Sequence, residues 1–367
     1  MAIPFIDLQR QYKERKEAID RQIQEVLDSS GYILGPKVEE LEKKLAAFAG
    51  TKYAAGCGSG TEALQLALMA IGLEPGDEVI TTPFTFIATA EVVALLGAVP
   101  MFVDIERDTY NIDPERIEAA VTDRTRAIIP VDLFGQCAEY DHINQIAARH
   151  GLTVIEDAAQ SYGALYKKRR ACSLADIGCA SFYPSKPLGC YGEGGMVFTN
   201  SEETLEALRS LRVHGQGEDK YNNVRIGFNG RLEAIQAAVL LGKLPAFERE
   251  IEQRQVVAQR YSEALKDATV TPAVRPYNLS VWAQYSIRVK NRDEFQARLK
   301  AVGIPTAVFY PRPLHLQKAF EYLGHKEGDF PVTEEVARDI VSLPMHAYLD
   351  EKTQDFIISE TLKALKT

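Results

Sequence analysis

The chain has 367 residues, 46% hydrophobic and 25% charged, with a formal net charge of −9. That length accommodates one large domain and a smaller one. The acidic balance argues against a nucleic-acid partner, which needs a basic face, but leaves a small anionic substrate open, since a helix N-terminus can bind phosphate. The N-terminal MAIPFIDLQRQYKERKEA is too charged for the apolar core of a signal peptide. The most apolar stretch, IATAEVVALLGAVPMFV, is interrupted by Glu91 and Pro100, so no membrane span is expected. The five cysteines, Cys57, Cys137, Cys172, Cys179 and Cys190, are scattered and lack CxxC spacing. They read as reduced thiols of a cytoplasmic protein rather than a zinc or disulfide framework.

Between residues 50 and 200 short apolar runs recur: KYAAGC, DEVITT, PMFVDI, RAIIPVDL, LTVIEDA, GCASFYP and GMVFTN. Helical patterns separate most of them, at TEALQLALMAIG, ATAEVVALLG, DPERIEAAV and YDHINQIAARHG. This alternation predicts α/β layers on a mainly parallel sheet. Only a glycine-rich turn joins the last two strands, so one of them is expected to run antiparallel. Beyond residue 230, RLEAIQAAVLLGKL and FEREIEQRQVVAQRYSEALK read as long amphipathic helices. SVWAQYSIRV, a helix at DEFQARLKAVG, strand-like TAVFYP and a terminal helix at KTQDFIISETLKALK follow. The composition change places a division near Pro245, with a large domain over 1–245 and a small α+β domain over 246–367.

Three places could carry chemistry. In GCGSGTEAL, Ser59 and Glu62 fit a capping box, and glycines lead into a helix whose first N–H groups are free for an anion. The spacing is neither G-x-G-x-x-G nor a Walker loop, which disfavours a dinucleotide or nucleoside triphosphate. In VIEDAAQSYGA, Asp157 ends a parallel strand, where α/β proteins place ligand groups, and Gln160 follows three residues on. In SFYPSKPLGCYGEGG, Lys186 lies five residues after Ser181. Taken singly, these are equally a capped helix, a strand-end aspartate closing a turn, and a solvated lysine. Taken together, an anion cradle, a strand-end carboxylate and a lysine at one sheet edge match what pyridoxal phosphate needs. Phe86, in TTPFTFIATA, is placed to stack on a cofactor ring.

With these motifs the sequence resembles the DegT/StrS-type nucleotide-sugar aminotransferases, of the fold-type-I (aspartate aminotransferase-like) class. The resemblance extends from PFIDLQRQY and GYILGPKVEELE to YPRPLHLQ. It implies a three-layer domain with a mainly parallel seven-stranded sheet, a small α+β C-terminal domain, and a homodimer with shared active sites. Lys186 is then the lysine that bonds the cofactor and moves the proton, Asp157 the partner of the pyridinium nitrogen, and Gln160 a contact to the ring hydroxyl. Gly60, Thr61 and Ser181 form the phosphate cup, Phe86 stacks on the ring, and Asn229 reaches the phosphate from the neighbouring subunit.

IIPVDLFGQCAEYD and LRVHGQ point to the branch acting on UDP-linked 3-keto sugars. There Arg231 and Tyr310 match positions near the sugar, and Gly31, Tyr32 and Ile33 a loop near the nucleotide. The implied reaction moves an amino group from L-glutamate to UDP-2-acetamido-2-deoxy-3-oxo-glucose or its glucuronic acid, in amino-sugar biosynthesis for surface polysaccharide. One departure bears on the carboxylate: uronic-acid enzymes carry histidine before the tyrosine, and this chain has Phe309. The alternatives are a 4-keto-sugar aminotransferase and a non-catalytic cofactor-binding regulator. The family's dehydratases replace the lysine with histidine, and Lys186 argues against them.

Overall fold

The computed structural model describes residues 3–366. Two helices open the chain. In α1 (Leu8–Ser29) the carboxylate of Asp7 caps the first turn by accepting from the Arg10 amide at 2.9 Å. In α2 (Pro36–Ala49) proline occupies the first position, where its missing N–H leaves no bond unmade. Strands and helices then alternate through β1 (Tyr53–Cys57), α3 (Gly60–Ala70), β2 (Glu78–Thr81), α4 (Ala88–Leu95) and β3 (Val99–Phe102). Next come β4 (Thr125–Ile128), α5 (Tyr140–His150), β5 (Thr153–Asp157) and the two-residue strands β6 (Leu165–Tyr166) and β7 (Arg169–Arg170). β8 (Ile177–Ser181) and β9 (Gly195–Thr199) close this part of the chain.

The large sheet has seven strands in the order β1-β9-β8-β5-β4-β2-β3. Only β9 runs against its neighbours; its glycine-rich connection to β8 contains no helix to carry a parallel crossover. Helices cover both faces, so the strands are buried almost throughout. On one face Ile19, Leu41 and Phe182 pack with Tyr162, whose ring stacks on Phe198 and Phe247. On the other, Leu64, Leu68 and Val92 pack with Leu208.

After β9 come α6 (Glu202–Leu211), α7 (Ala234–Lys243) and α8 (Phe247–Leu265). The last segment holds β10 (Asn278–Leu279), β11 (Tyr285–Arg288), α9 (Arg292–Ala301), α10 (Pro331–Asp339), β12 (Ile340–Leu343) and α11 (Glu351–Leu365). β11 and β12 pair antiparallel, and Tyr261, Tyr285, Leu299, Val341 and Ile357 form a separate core with them. Pro245 lies in the single 3-10 turn between α7 and α8. Phe247 and Ile251 of α8 pack into the first core and Val257, Tyr261 and Leu265 into the separate one, so this helix ties the two together.

All seven runs read as strands between residues 50 and 200 are strands of the large sheet. DPERIEAAV is not a helix. It forms two 3-10 turns, because Val121 turns to extended backbone and ends the run. TAVFYP contributes one bridge, Ala307 to Ser342, since Pro305 and Pro311 on either side lack the N–H groups a ladder needs. The partner of β11 is instead β12, from IVSL.

A buried ion pair fixes the frame under β1. Glu42 of α2 meets Arg212, just past α6, at 2.5 Å, and both are almost fully enclosed. Glu42 also accepts from the Gly56 amide at 2.9 Å, and Arg212 donates to the Gly56 carbonyl at 2.7 Å. Removing Arg212 leaves Glu42 buried with only the half-exposed Arg209, 3.8 Å away, as a charge partner. Arg212→Met should therefore cost about 3–5 kcal/mol in urea unfolding. Adding Glu42→Met should recover much of that loss.

Candidate functional site

The parallel strands deliver their side chains to one edge of the sheet. Asp157 is the last residue of β5 and Ser181 the last of β8, while Gly58 to Gly60 follow β1 and Phe84 to Phe86 follow β2. β9 enters this edge at Gly195, paired with Cys57 on one side and Ser181 on the other. The approach leaves no room for side chains. A Cβ on Gly195 would lie 2.2 Å from the Ser59 carbonyl oxygen, and one on Gly60 would lie 2.6 Å from the Ser181 Cβ. Glycine at both positions lets the start of α3 rest against the Ser181 hydroxyl.

That helix start is pre-shaped. The Ser59 hydroxyl accepts from the Glu62 amide at 3.1 Å, and the Glu62 carboxylate accepts from Gly58 N–H at 2.8 Å, one residue before the cap. Among the described residues the Gly60 and Thr61 amides donate to no protein acceptor. Two free amides and a hydroxyl therefore converge where a phosphate would fit.

Asp157 is 4% exposed. It accepts from the Thr89 hydroxyl at 2.8 Å and from the Ala159 amide at 3.1 Å, and Thr85 backs Thr89 at 3.1 Å. Burial raises its carboxyl above the ordinary range, against these hydrogen bonds and the Lys186 charge. Lys186 lies in the turn after β8, its amide donating to the Tyr183 carbonyl at 2.8 Å. Burial lowers its pKa, and Asp157 partly opposes this. The turn needs Gly189, where a Cβ would fall 2.6 Å from the carbonyls of Tyr183 and Pro184. A buried carboxylate that wants a cation and a lysine biased toward the free amine thus share one crevice.

Gln160 is held at both ends, its carbonyl accepting from the Phe134 amide at 2.8 Å and its NH₂ donating to the Tyr310 hydroxyl at 3.1 Å. The Tyr310 ring lies 6.3 Å from Phe86, which is 54% exposed. The structure therefore groups Tyr310, read from sequence as a sugar-side residue, with Gln160 and Phe86. Phe309 packs 6.4 Å from Phe5, an apolar setting.

The remaining residues form a second group. Ile33 bridges to Glu233, and the Ala234 amide donates to the Tyr32 carbonyl at 2.9 Å, so Gly31, Tyr32 and Ile33 run beside Arg231. Arg231 has no carboxylate partner among the described residues. Asn229 is exposed and bridges Val213. No hydrogen bond or ring contact among the described residues links this group to Lys186, Asp157 or Gln160. Tyr32, Ile33, Tyr221, Val224 and Ile226 are exposed in the chain. His214 acts through its backbone, its amide donating to the Phe228 carbonyl at 3.0 Å and its carbonyl accepting from Asn223 at 2.8 Å.

A family model described as the DegT/DnrJ/EryC1/StrS aminotransferase family matches residues 13–362. The chain belongs to this family and is an aminotransferase. It is 54% identical over 95% of its length, and 96% of the relative, to a UDP-2-acetamido-2-deoxy-3-oxo-D-glucuronate aminotransferase of Pseudomonas aeruginosa. It is 48% identical to a pleiotropic regulatory protein of Geobacillus stearothermophilus, covering 98% of each chain. A crystal structure of ntda from Bacillus subtilis with bound cofactor PMP superposes with a TM-score of 0.93 at 31% identity, covering all of this chain and 86% of that one.

The residues present fit the family's cofactor, pyridoxal phosphate. The cradle between Gly60 and Ser181 suits its phosphate, and Asp157 wants the positive charge a protonated pyridine nitrogen carries. Sequence reasoning missed the clamp on Asp157. Thr85 precedes α4 and Thr89 lies in its first turn, and two hydroxyls at the entry to a helix that follows a parallel strand are the signal that could have found them.

Because the Asp157 pKa is raised above its unfolded value, the stability it contributes is full below the ordinary aspartate range and is lost as pH rises through the folded value. Thr89→Val removes a hydrogen bond to the charged form. In cofactor-free protein it should cost about 1.5–3 kcal/mol at pH 8 and clearly less at pH 4, by urea unfolding at the two pH values.

Proposed function

We propose that the chain transfers an amino group from L-glutamate to a UDP-linked 2-acetamido-3-keto sugar, in its glucose or glucuronic-acid form, using pyridoxal phosphate. The observation that carries this reading is the meeting of Asp157, Lys186 and the Gly60–Ser181 cradle at one strand edge. The 54% identity to an enzyme named for a UDP-linked 3-oxo-glucuronate supports the sugar. Phe309 is the reason to keep the neutral sugar beside the acid.

When bound, the cofactor supplies an electron sink for cleaving and forming bonds at an amine-bearing carbon. The chain's own residues do the rest. Gly60 and Thr61 amides and the Ser181 hydroxyl hold the phosphate. Asp157 keeps the ring nitrogen protonated, and the two hydrogen bonds on its oxygens aim it. Phe86 covers the ring, and Gln160, braced by Phe134 and Tyr310, meets its hydroxyl. Lys186, biased toward the free amine, would be the residue that holds the cofactor covalently, and its Nζ would carry the proton in each half of the exchange.

Asn229 and Arg231, which share no hydrogen bond with Lys186 among the described residues, serve the site of a second copy of the chain. Arg231, with no carboxylate partner of its own, suits the sugar diphosphate, and Gly31, Tyr32 and Ile33 the nucleotide. The exposed Tyr32, Ile33, Tyr221 and Ile226 are the apolar surface such a homodimer would cover. The regulator reading has the Geobacillus relative's name behind it. Lys186, Asp157 and Gln160 together support turnover instead.

No helix among the described residues is long and apolar enough to cross a membrane. The products fit a supply of amino sugars for surface polysaccharide.

The test is an absorbance titration of purified protein. L-glutamate should bleach the band of bound cofactor, and a UDP-linked 3-keto sugar should restore it while a 4-keto sugar should not. Comparing neutral and uronic sugars reads the effect of Phe309. Lys186→Ala should lose the band and at least about 10²–10⁴-fold in rate. A Lys186→Ala protein of wild-type rate would overturn the assignment.

A further inference from the structure

Lys186 also lines a second, small polar cavity that the roles above leave unused. Its other walls are Gln11 of α1, Glu250 and Arg254 of α8, and His346 and Tyr348 in the segment after β12. Its volume is about 10 Å³, the space of a single water.

The walls are polar and short of partners. Gln11, Glu250, Arg254 and His346 are each at least nine-tenths buried. Glu250 is fully engaged, one oxygen accepting from the Gln11 NH₂ at 2.9 Å and the other from the Tyr348 hydroxyl at 2.6 Å. Arg254 spends one N–H on the Trp282 carbonyl at 2.8 Å. The Gln11 carbonyl oxygen, Arg254 Nε and both ring nitrogens of His346 have no protein partner among the described residues. Orphaned polar atoms of this kind are rare in folded proteins, and several around one small cavity need a common partner.

We propose that Gln11, Arg254 and His346 hold one ordered water at the back of Lys186, and that His346 acts through this water as a positioning residue for the lysine nitrogen. The donors and acceptors balance. Water accepts two hydrogen bonds and donates two. Arg254 Nε–H and the Lys186 nitrogen supply the donors, and the Gln11 carbonyl and one ring nitrogen of His346 the acceptors.

The His346 acceptor is dependable because burial first, and the Arg254 charge next, hold its pKa down to about 4. Arg10 and Asp350 act on it more weakly, as does Asp7, which shares its cavity with Glu250, Tyr348 and Lys186. The imidazole therefore stays neutral across the working pH range, and the titrating group is the lysine nitrogen. A water accepting from that nitrogen favours its protonated form.

This inference rests on Lys186 being the cofactor-bonding lysine, and the experiment separates the two. A high-resolution crystal structure of the holoenzyme should show one water within hydrogen-bond distance of Arg254 Nε and a His346 nitrogen. A collapsed or empty cavity, or an anomalous peak there after a bromide soak, would overturn the water. In pH titrations of the cofactor's absorbance, His346→Phe should lower the midpoint by about one pH unit, the size of one hydrogen bond to a charged group. His346→Gln, which keeps a polar group, should recover most of the shift. Gln11→Leu, on another element, should lower the midpoint in the same direction. An unchanged midpoint in His346→Phe and Gln11→Leu, or equal shifts in His346→Phe and His346→Gln, would overturn the positioning role. Absence of a band in wild-type protein would overturn the assignment of Lys186 instead, and the crystal structure would still decide the water.

Discussion

Everything at the strand edge depends on one close approach, that of the α3 N-terminus to the end of β8 across the first residue of β9. β9 is the sheet's sole antiparallel strand, and it enters where its parallel neighbours finish. Any side chain at Gly195 would drive into the Ser59 carbonyl, and any at Gly60 into Ser181. Without both glycines the two bare amides of α3 and the Ser181 hydroxyl could not face one anion. The same geometry sends the chain from β8 into the Lys186 turn and back into β9, so lysine and anion cradle are placed by a single excursion of thirteen residues, 182–194.

Burial then sets the chemistry. Asp157 and Lys186 are both pushed toward their neutral forms by desolvation, and each partly restores the other's charge. For the lysine this is an advantage, because a free amine is the nucleophile. For the aspartate it is a debt settled by two hydrogen bonds and by any cation brought beside it. A cationic ring nitrogen therefore completes an electrostatic pattern already present in the chain. The polar cavity that Lys186 lines extends the pattern, since burial also keeps its imidazole neutral.

Much of this was legible in the sequence because it rests on local rules. The seven apolar runs follow burial on both faces of a parallel sheet, and a glycine-rich connection without a helical pattern leaves β9 antiparallel. Asp157 and Lys186 could be named from strand-end position and family resemblance. What escaped depends on contacts distant in sequence. The Thr89 hydroxyl on Asp157 joins residues 68 apart, and the Gln160–Tyr310 bond residues 150 apart. DPERIEAAV carries a helical pattern, yet Val121 ends it after two tight turns. In TAVFYP the β-branched and aromatic residues suggested a strand that flanking prolines limit to one bridge. His346 gives no sign in LPMHAYLD that it is buried beside an arginine. Only the meeting of α8 with the segment after β12 discloses it.

The central claim is that Lys186 bonds the cofactor, and covalent trapping tests it most directly. Reducing the holoenzyme with borohydride, digesting it and mapping the modified peptide by mass should place the pyridoxyl group on the lysine of SKPLG. Prior exposure to L-glutamate should remove the modification. Label on another lysine, or label unaffected by glutamate, would contradict the account.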